Sequence, residues 1–318
     1  MVVNVNAALA QVREDQQDAI RTQNYRNLEA LEKKEFRETQ IELLKEFLMT
    51  KKIEGCSITT IKDYHDRIIK LIDWTTKDVR ELNAKDIRDY LYEYQELNNV
   101  KQGTLDTMRL IFSSFYQFLE NEEYITKNPV RKIHKIRSED VIKPAFTDEE
   151  LEMIRRSTKS IRDLAIIDLL YSSGIRISEC IELNIRDVNF NDREFIVYGK
   201  GGKERVCYFN ARTKIEIIDY LQTRDDREPA LFVSKHEPHD RLKKGGVRHM
   251  LKDIEARTGI PNIHPHRFRR TLATNLLDKG MTLEQVQRIL GHKKIETTLI
   301  YANVNQTMTK INHQKYTF

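Results

Sequence analysis

The sequence predicts a mostly helical protein with a small β-sheet, divided into a helical first domain and a mixed second domain. Apolar residues recur at helical spacing through most of the chain, two alternating stretches flank a glycine-rich turn within 194–209, and a basic, proline-bounded segment separates the two halves. The length of 318 residues exceeds the usual size of a single core. We therefore expect two domains.

The composition excludes several classes of protein. Hydrophobic residues make up 39% and charged residues 32%, the mean hydropathy is −0.62, and no apolar run approaches the roughly 20 residues needed to span a bilayer. No secretory signal is evident, and the three cysteines are too far apart for a disulfide framework or a zinc site. We expect a cytoplasmic protein. The net charge of +5 is too mild to indicate nucleic-acid binding by itself.

The first domain is predicted as a helical bundle over residues 37–125, after a polar extension over 1–36 to which we assign no chemistry. Four apolar faces recur at helical spacing, Asn83 and Asp86 are typical of a helix start, and Gly103–Thr104 precedes the last helix. The aromatic stripe at 112–118 is more typical of a core than of a base-stacking surface.

A basic linker is predicted over residues 126–145. Between 126 and 143 it holds six lysines and arginines against two acidic residues, and Lys132, Lys135 and Arg137 are among the six. Such a segment can be a flexible tether, but it also suits a clamp that closes around a duplex and contacts its backbone. We favour the clamp.

The second domain is predicted over residues 146–318, with a helix start at Thr147 and a hairpin over 194–209. The hairpin tip carries Lys200 and Lys203, and the stretch Leu231–Ser234 is a candidate third strand. A helix is predicted over 245–258, preceded by the basic pair at 243 and 244.

The segment 264–301 concentrates residues that carry chemistry. His266 and Arg269 are spaced to share one face near a helix start, which suits an anion; His292 follows Gly291, and Tyr301 comes nine positions later. Each of these residues alone has an ordinary structural explanation. A further arginine, Arg176, follows Gly174, with Glu179 three positions beyond it as a partner for its guanidinium.

Taken together, these motifs resemble those of the tyrosine recombinases, the phage-integrase family. They are G-I-R-I-S-E at 174–179, G-K-G-x-K-x-R at 199–205, H-R-F-R at 266–269 and G-H…Y at 291–301. The resemblance covers 39–318 and is greatest to Xer-like and transposon- or phage-encoded integrases. It implies a SAM-like helical core-binding domain followed by a mixed α/β catalytic domain, the two forming a C-shaped clamp on DNA.

The resemblance also implies roles for individual residues. Arg176 and Arg269 would hold the scissile phosphate, with His266 and His292 bonded to its oxygens and His266 as the candidate base. Tyr301 would attack to give a 3′-phosphotyrosine, and Lys200, or alternatively Lys203, would protonate the leaving oxygen. No metal, other cofactor or ATP is expected. Further DNA contacts are expected from a set of basic residues: Lys132, Lys135, Arg137, Lys203, Arg205, Lys243 and Lys244.

The implied partner is double-stranded DNA, bound by a homotetramer on paired sites through the tail at 302–318, with a possible accessory directionality protein and association with the nucleoid. Three alternatives stay open at this point. The chain could be a type IB topoisomerase-like relaxase, or a non-catalytic protein with a helix-turn-helix at 282–301. The weakest alternative is a metal hydrolase that uses His264, His266 and His292.

Overall fold

The structure is a computed structural model that describes residues 36–137, 144–198, 204–292, 294–295 and 298–299. The chain separates into two compact units, Met1–Asp140 and Val141–Phe318. Each unit has a hydrophobic core of its own. Within the described ranges, none of the helices combines the length and apolar character that crossing a membrane requires.

The described part of the first unit is helical. Its helices are α1 (described over 36–53), α2 (Ile58–Trp74), α3 (Ala84–Asn98) and α4 (Gln102–Asn121), followed by a 3-10 turn at Pro129–Lys132. The predicted start of α3 is confirmed, because Asn83 and Asp86 form a capping box. Helix α4 begins at Gln102, so the predicted boundary at Gly103–Thr104 lies inside the helix.

The aromatic stripe of α4 forms the centre of this unit, as predicted. Phe112, Phe115 and Tyr116 are fully buried. The ring of Phe115 lies 5.4 Å from that of Phe47 on α1, edge to face, which is a favourable geometry for aromatic pairs. The buried Tyr116 hydroxyl donates to Val79 O at 2.9 Å, so its polar group is satisfied inside the core.

The second unit is a helical domain with a small sheet. Its elements in order are α5 (Asp148–Arg156), α6 (Ile161–Ser173), α7 (Ile177–Cys180), a 3-10 turn (Ile185–Asp187), β1 (Val188–Asn189), β2 (Glu194–Tyr198), β3 (Glu204–Tyr208), α8 (Ala211–Gln222), α9 (Lys244–Thr258), α10 (Pro265–Asp278) and α11 (Leu283–Leu290). The predicted fold class, mostly helical with a small sheet, is confirmed. Thr147 begins α5 with a capping box, and Thr282 begins α11 in the same way.

The sheet among the described residues has three antiparallel strands in the order β1-β2-β3. The predicted hairpin is confirmed, with Val197 opposite Arg205 and Phe195 opposite Cys207. The predicted third strand at 231–234 is wrong, because β1 occupies that place in the sheet. The 231–234 stretch is instead a buried segment with isolated bridges beside it, in which Leu231 N donates to Leu183 O at 2.8 Å.

Candidate active site

Arg269 lies where three helices of the second unit meet. It is on the inward face of α10, one turn after the Pro265 that begins the helix, and is 2% exposed. Its Nη1 donates to Gly174 O at 2.7 Å, and its Nη2 donates to Leu290 O. Gly174 follows α6 and Leu290 ends α11, so both acceptors are terminal carbonyls at the negative ends of helices. The guanidinium therefore joins two helix C-termini.

Gly174 allows this close approach. Its φ of +61° is left-handed, and a Cβ at this position would lie 2.9 Å from Leu272 Cδ2 and 3.0 Å from Leu290 Cδ2. Any other residue would be strained in its backbone, and its Cβ would displace the ends of these two leucine side chains. Glycine therefore suits both the end of α6 and the packing around Arg269.

Arg176 approaches the same helix end from α7, whose N-terminus it precedes. Its Nη2 donates to Gly291 O at 3.2 Å, and its Nη1 donates to Glu179 Oε1 at 2.9 Å. Because Arg269 donates to Leu290 O, the two arginines bind carbonyls of adjacent residues at the end of α11. The structure thus brings together two side chains that are 93 positions apart in the sequence, from 176 to 269.

Glu179 is the carboxylate that orders this arginine. It is 9% exposed, and burial alone would raise its pKa. Hydrogen bonds from Arg205, from the Arg176 backbone and from the Arg176 side chain outweigh burial and lower the pKa of Glu179 to about 2. The carboxylate is therefore ionised at any pH at which the protein would be studied, and its charge holds the Arg176 guanidinium.

His292 follows the glycine that ends α11 and is half-buried. Its Nδ1 lies 2.8 Å from the hydroxyl of Thr298, which is fully buried, and its backbone N–H donates to Gln287 O at 3.1 Å. Burial, and then the positive charges of Arg269, Arg176 and other nearby groups, lower the pKa of His292 to about 4. The imidazole is therefore neutral at physiological pH and carries one ring N–H.

His266 is in the first turn of α10 and is exposed. It contributes to the lowered pKa of His292, so the two rings lie within electrostatic reach of each other. The structure therefore brings Arg269, Arg176 and His292 together at the end of α11, and His266 lies one turn before Arg269 on α10. Over the described ranges, no three His, Cys, Asp or Glu side chains are grouped as a metal ion would need, so the metal alternative finds no support among them.

A groove of about 1830 Å³ opens at this site. It exceeds the 300–1,000 Å³ or so of a typical small-molecule pocket. Its charged lining is mixed: five basic side chains, Arg176, Arg186, Arg205, Arg288 and Lys294, stand beside four acidic ones, Glu179, Glu182, Asp187 and Glu204. A groove of this size suits an extended ligand better than a compact metabolite.

The remaining predicted residues divide into those outside the described residues and those that the structure describes. Lys200, Lys203 and Tyr301 lie outside the described residues, so their predicted roles stay predictions. Lys132, Lys135 and Arg137 are exposed in the first unit, whereas Lys243 and Lys244 are exposed at the N-terminus of α9 in the second. Arg205, expected to contact DNA, has both terminal nitrogens bonded to Glu179.

The sequence predicted Arg205 only as a DNA contact and did not indicate Thr298. The strand alternation carried a signal for Arg205, because residues 205 and 207 share one face of β3 and Cys207 is buried. Its positive charge suggested a surface contact instead. Thr298 gave no signal, because a threonine six positions after His292 is marked neither by a helical period nor by a familiar motif.

Comparison with known proteins places these features in a family. Residues 145–308 match the Phage integrase family, and residues 43–126 match the Phage integrase, N-terminal SAM-like domain. Tyrosine recombinase XerC of Staphylococcus epidermidis is 33% identical over 278 residues, which cover 83% of this chain and 94% of the relative. The XerC of a Staphylococcus aureus strain is 32% identical over 278 residues, covering 83% and 93%.

Solved structures with the same fold include two recombinases. The XerH site-specific recombinase bound to palindromic difH substrate has a TM-score of 0.68 at 18% identity, covering 83% of this chain and 81% of that one. A lambda integrase dimer bound to a COC' core site has a TM-score of 0.66 at 19% identity, covering 80% and 95%. The suspected resemblance is confirmed: the chain belongs to the phage integrase family of tyrosine recombinases and is a site-specific recombinase.

Proposed function

We propose that this enzyme cuts and rejoins DNA strands through a 3′-phosphotyrosine at Tyr301. The observation that carries the proposal is that Arg176 and Arg269 donate to the adjacent carbonyls of Gly291 and Leu290, immediately before His292. Each terminal guanidinium nitrogen has two hydrogens, so an arginine anchored on a carbonyl can also donate to a phosphate oxygen. A phosphate in the groove would then meet two cations and one imidazole.

The proposed reaction is an in-line displacement at phosphorus. The Tyr301 oxygen attacks, its proton passes to His266, the bond from phosphorus to the 5′ oxygen breaks, and Lys200 or Lys203 protonates that oxygen. Negative charge develops on the non-bridging oxygens during the attack. Guanidiniums already held by Glu179 and by helix-terminal carbonyls stabilise that charge without reorganisation.

His292 is proposed to act as a neutral hydrogen-bond donor. Its pKa of about 4 keeps the ring uncharged at physiological pH, and Thr298 binds its Nδ1. If the Thr298 hydroxyl donates to Nδ1, the ring hydrogen resides on Nε2 and can be directed at a phosphate oxygen. The arginines that lower this pKa would then bind the same phosphate.

Rejoining needs no metal and no ATP in this proposal. The phosphotyrosine link conserves the energy of the phosphodiester, so a 5′-hydroxyl of another strand can attack phosphorus and release Tyr301. Four such steps, one for each strand of two paired sites, recombine them. We propose a homotetramer on paired sites, assembled through residues 302–318, with a possible accessory directionality protein; a lambda integrase tetramer bound to a Holliday junction is among the proteins of similar fold.

We propose a division of labour along the chain that follows the predicted boundaries. Residues 37–125 would bind DNA on the side opposite the catalytic domain at 146–318, and the basic linker at 126–145 would contact the backbone between them. The matched ranges 43–126 and 145–308 support this division. The extension at 1–36 has no proposed role, and association with the nucleoid would follow from DNA binding.

The proposed function is tested by covalent capture and strand exchange. A pool of randomised duplexes is incubated with the enzyme in EDTA, and DNA that stays bound after denaturation is sequenced to obtain the site. Plasmids carrying two copies of that site are expected to recombine, again in EDTA. Relaxation of plasmids without exchange would favour the topoisomerase-like alternative, and binding without any covalent adduct would favour the helix-turn-helix alternative.

Binding to the selected duplex is expected to weaken steeply with salt, because Lys and Arg contacts release counterions from phosphates. Lys132→Ala and Lys135→Ala are each expected to reduce the slope of log affinity against log salt by about 1. The measurement is a fluorescence-anisotropy titration at several salt concentrations. Lys159→Ala, in the exposed turn between α5 and α6, is the matched control and should leave the slope unchanged. Equal slopes in the wild type and the three variants would show that Lys132 and Lys135 do not contact DNA phosphates.

A further inference from the structure

Arg205 occupies an unusual place for a basic residue of a DNA-binding groove. It lies on β3 opposite Val197, on the same strand face as the buried Cys207, and its side chain is 10% exposed. Its Nη1 donates to Glu179 Oε1 at 2.8 Å and its Nη2 donates to Glu179 Oε2 at 2.6 Å. This is a bidentate pair with little access to solvent, the geometry in which arginine and lysine are least interchangeable.

The Glu179 carboxylate is saturated by two arginines. Oε1 accepts from the Nη1 atoms of Arg176 and Arg205, at 2.9 and 2.8 Å. Oε2 accepts from the Arg176 backbone N–H and from Arg205 Nη2, at 2.9 and 2.6 Å. A carboxylate offers about four lone-pair sites, so these four bonds use its capacity. Glu179 therefore transmits the position of Arg205 to both the backbone and the side chain of Arg176.

A second contact links Arg205 to the end of α11. A Cβ at Gly291 would lie 2.6 Å from Arg205 Cδ and 3.0 Å from its Nε, so the arginine side chain packs directly on the glycine. Gly291 has a φ of +63°, accepts a hydrogen bond from Arg176 and precedes His292. The position of Arg205 thus bears on two groups that the proposed function places around the phosphate.

We propose that Arg205 is a positioning residue: it sets Arg176 through Glu179 and His292 through Gly291, and so couples the β2-β3 hairpin to the phosphate-binding groups. This inference rests on the proposed function. Arg205 is the second residue of β3, which begins at Glu204, so the hairpin carries the residue that holds Glu179. The expectation that Arg205 contacts DNA stays a prediction beside this internal role, in which both of its terminal nitrogens donate to Glu179.

The test is the pH profile of covalent adduct formation, measured on a nicked suicide duplex of the selected site. Arg205→Met removes one of the two cations from Glu179 but keeps a side chain of similar length. The expected rate at neutral pH is about 100-fold lower, because a misplaced Arg176 no longer meets the phosphate, whereas DNA affinity changes less than about twofold. Arg205→Lys, which restores a charge without the fork, is expected to recover part of the rate.

The pH dependence separates positioning from a merely structural role. With Arg205 absent, the pKa of Glu179 rises from about 2, so the variant should lose activity as pH falls through the raised pKa and Glu179 releases Arg176. The other groups facing Glu179 are the thiols of Cys180 and Cys207, whose pKa values are raised by burial to about 12 and 11, so both stay neutral.

Protonation of His292 is a second cause of lost activity at low pH (an acidic limb of the pH profile). Arg205 contributes to the lowered pKa of His292, so removing Arg205 should raise that pKa. The double variant Arg205→Met with Glu179→Gln distinguishes the two sources. It has no carboxyl group at position 179 to titrate, so the limb that Arg205→Met adds to the wild-type profile should disappear. Persistence of this added limb in the double variant would assign it to His292 and overturn the coupling through Glu179.

Arg257→Met is the matched control. Arg257 is an exposed arginine in the last turn of α9 and is not among the residues that line the groove. It should leave the pH profile unchanged. If Arg205→Met weakened DNA affinity without a new acidic limb, the residue would be a DNA contact and the proposal would be wrong. If Arg205→Met fails to fold, Arg205→Lys is measured in its place. An adduct-formation rate and a pH profile equal to those of the wild type in Arg205→Lys would also overturn the proposal that Arg205 is a positioning residue. A wild-type enzyme that forms no adduct would instead refute the proposed function.

Discussion

Tyr301→Phe is expected to abolish the covalent protein–DNA adduct while leaving DNA affinity within about twofold. Phenylalanine keeps the ring and its apolar contacts but has no oxygen to attack phosphorus, so the first step has no nucleophile. The measurement is a denaturing gel of the protein incubated with a radiolabelled suicide duplex, together with a binding titration on the intact duplex.

Tyr198→Phe is the matched control for this experiment. Tyr198 lines the same groove, is 67% exposed and also carries a phenol. Its replacement should leave the adduct at wild-type yield. An adduct that persists in Tyr301→Phe and disappears in Tyr198→Phe would transfer the nucleophile to the hairpin and defeat the assignment of Tyr301.

Arg269→Lys is expected to lower the rate of adduct formation by about 10²–10³, the usual cost of removing one preorganised donor from developing negative charge. The loss follows from geometry. A single ammonium has no planar fork, so it does not span Gly174 O and Leu290 O while also presenting two parallel donors to a phosphate. Single-turnover cleavage at saturating protein measures the effect without a contribution from binding.

The same substitution should also destabilise the second unit. Arg269 is 2% exposed, and the two residues whose carbonyls it binds, Gly174 and Leu290, are buried. A carbonyl that loses its donor here has no access to water, which costs about 1–3 kcal/mol for each unsatisfied group. The midpoint temperature of thermal unfolding should therefore fall. The cleavage assay has to be run well below that temperature, so that the variant is folded. Arg270→Lys is the matched control: Arg270 donates to Pro144 O at 3.2 Å from a more exposed position, and its replacement should change the rate less than twofold. Equal rates for the two variants would remove Arg269 from catalysis.

Local signals in the sequence predicted much of the fold. Capping pairs such as Thr147 with Glu150 and Thr282 with Gln285 satisfy backbone groups within one turn, so their effect does not depend on the rest of the chain. The alternation of side chains along 194–198 and 204–209 likewise depends only on residues close in sequence, and it predicted the hairpin. The stretch 231–234 was misread because a short, continuous apolar run is buried equally well as a strand or as an irregular segment.

Some features of the candidate site could be predicted from the sequence, and others depend on the packing of distant elements. Two arginines and two histidines were readable from motifs and their order, and the resemblance implied that they meet at one phosphate. The contacts that hold them were not readable, because the bond from Arg176 to Gly291 spans 115 positions and exists only once α6, α7, α10 and α11 have packed. The internal position of Arg205 could not be predicted from the sequence, because a charged side chain on a hairpin is usually solvated. Its internal partner, the buried Glu179, is 26 positions away in the sequence.

By itself the sequence determined the helical character of the chain, its hairpin and most of its helix starts, because each depends on spacing between neighbouring residues, and it determined membership of a recombinase family through the order of four motifs. Tertiary structure decided which carbonyls the two arginines bind, that His292 is neutral and that Arg205 points inward. Those outcomes depend on burial and on charges brought from distant positions, and both quantities come into being only when the helices pack against one another.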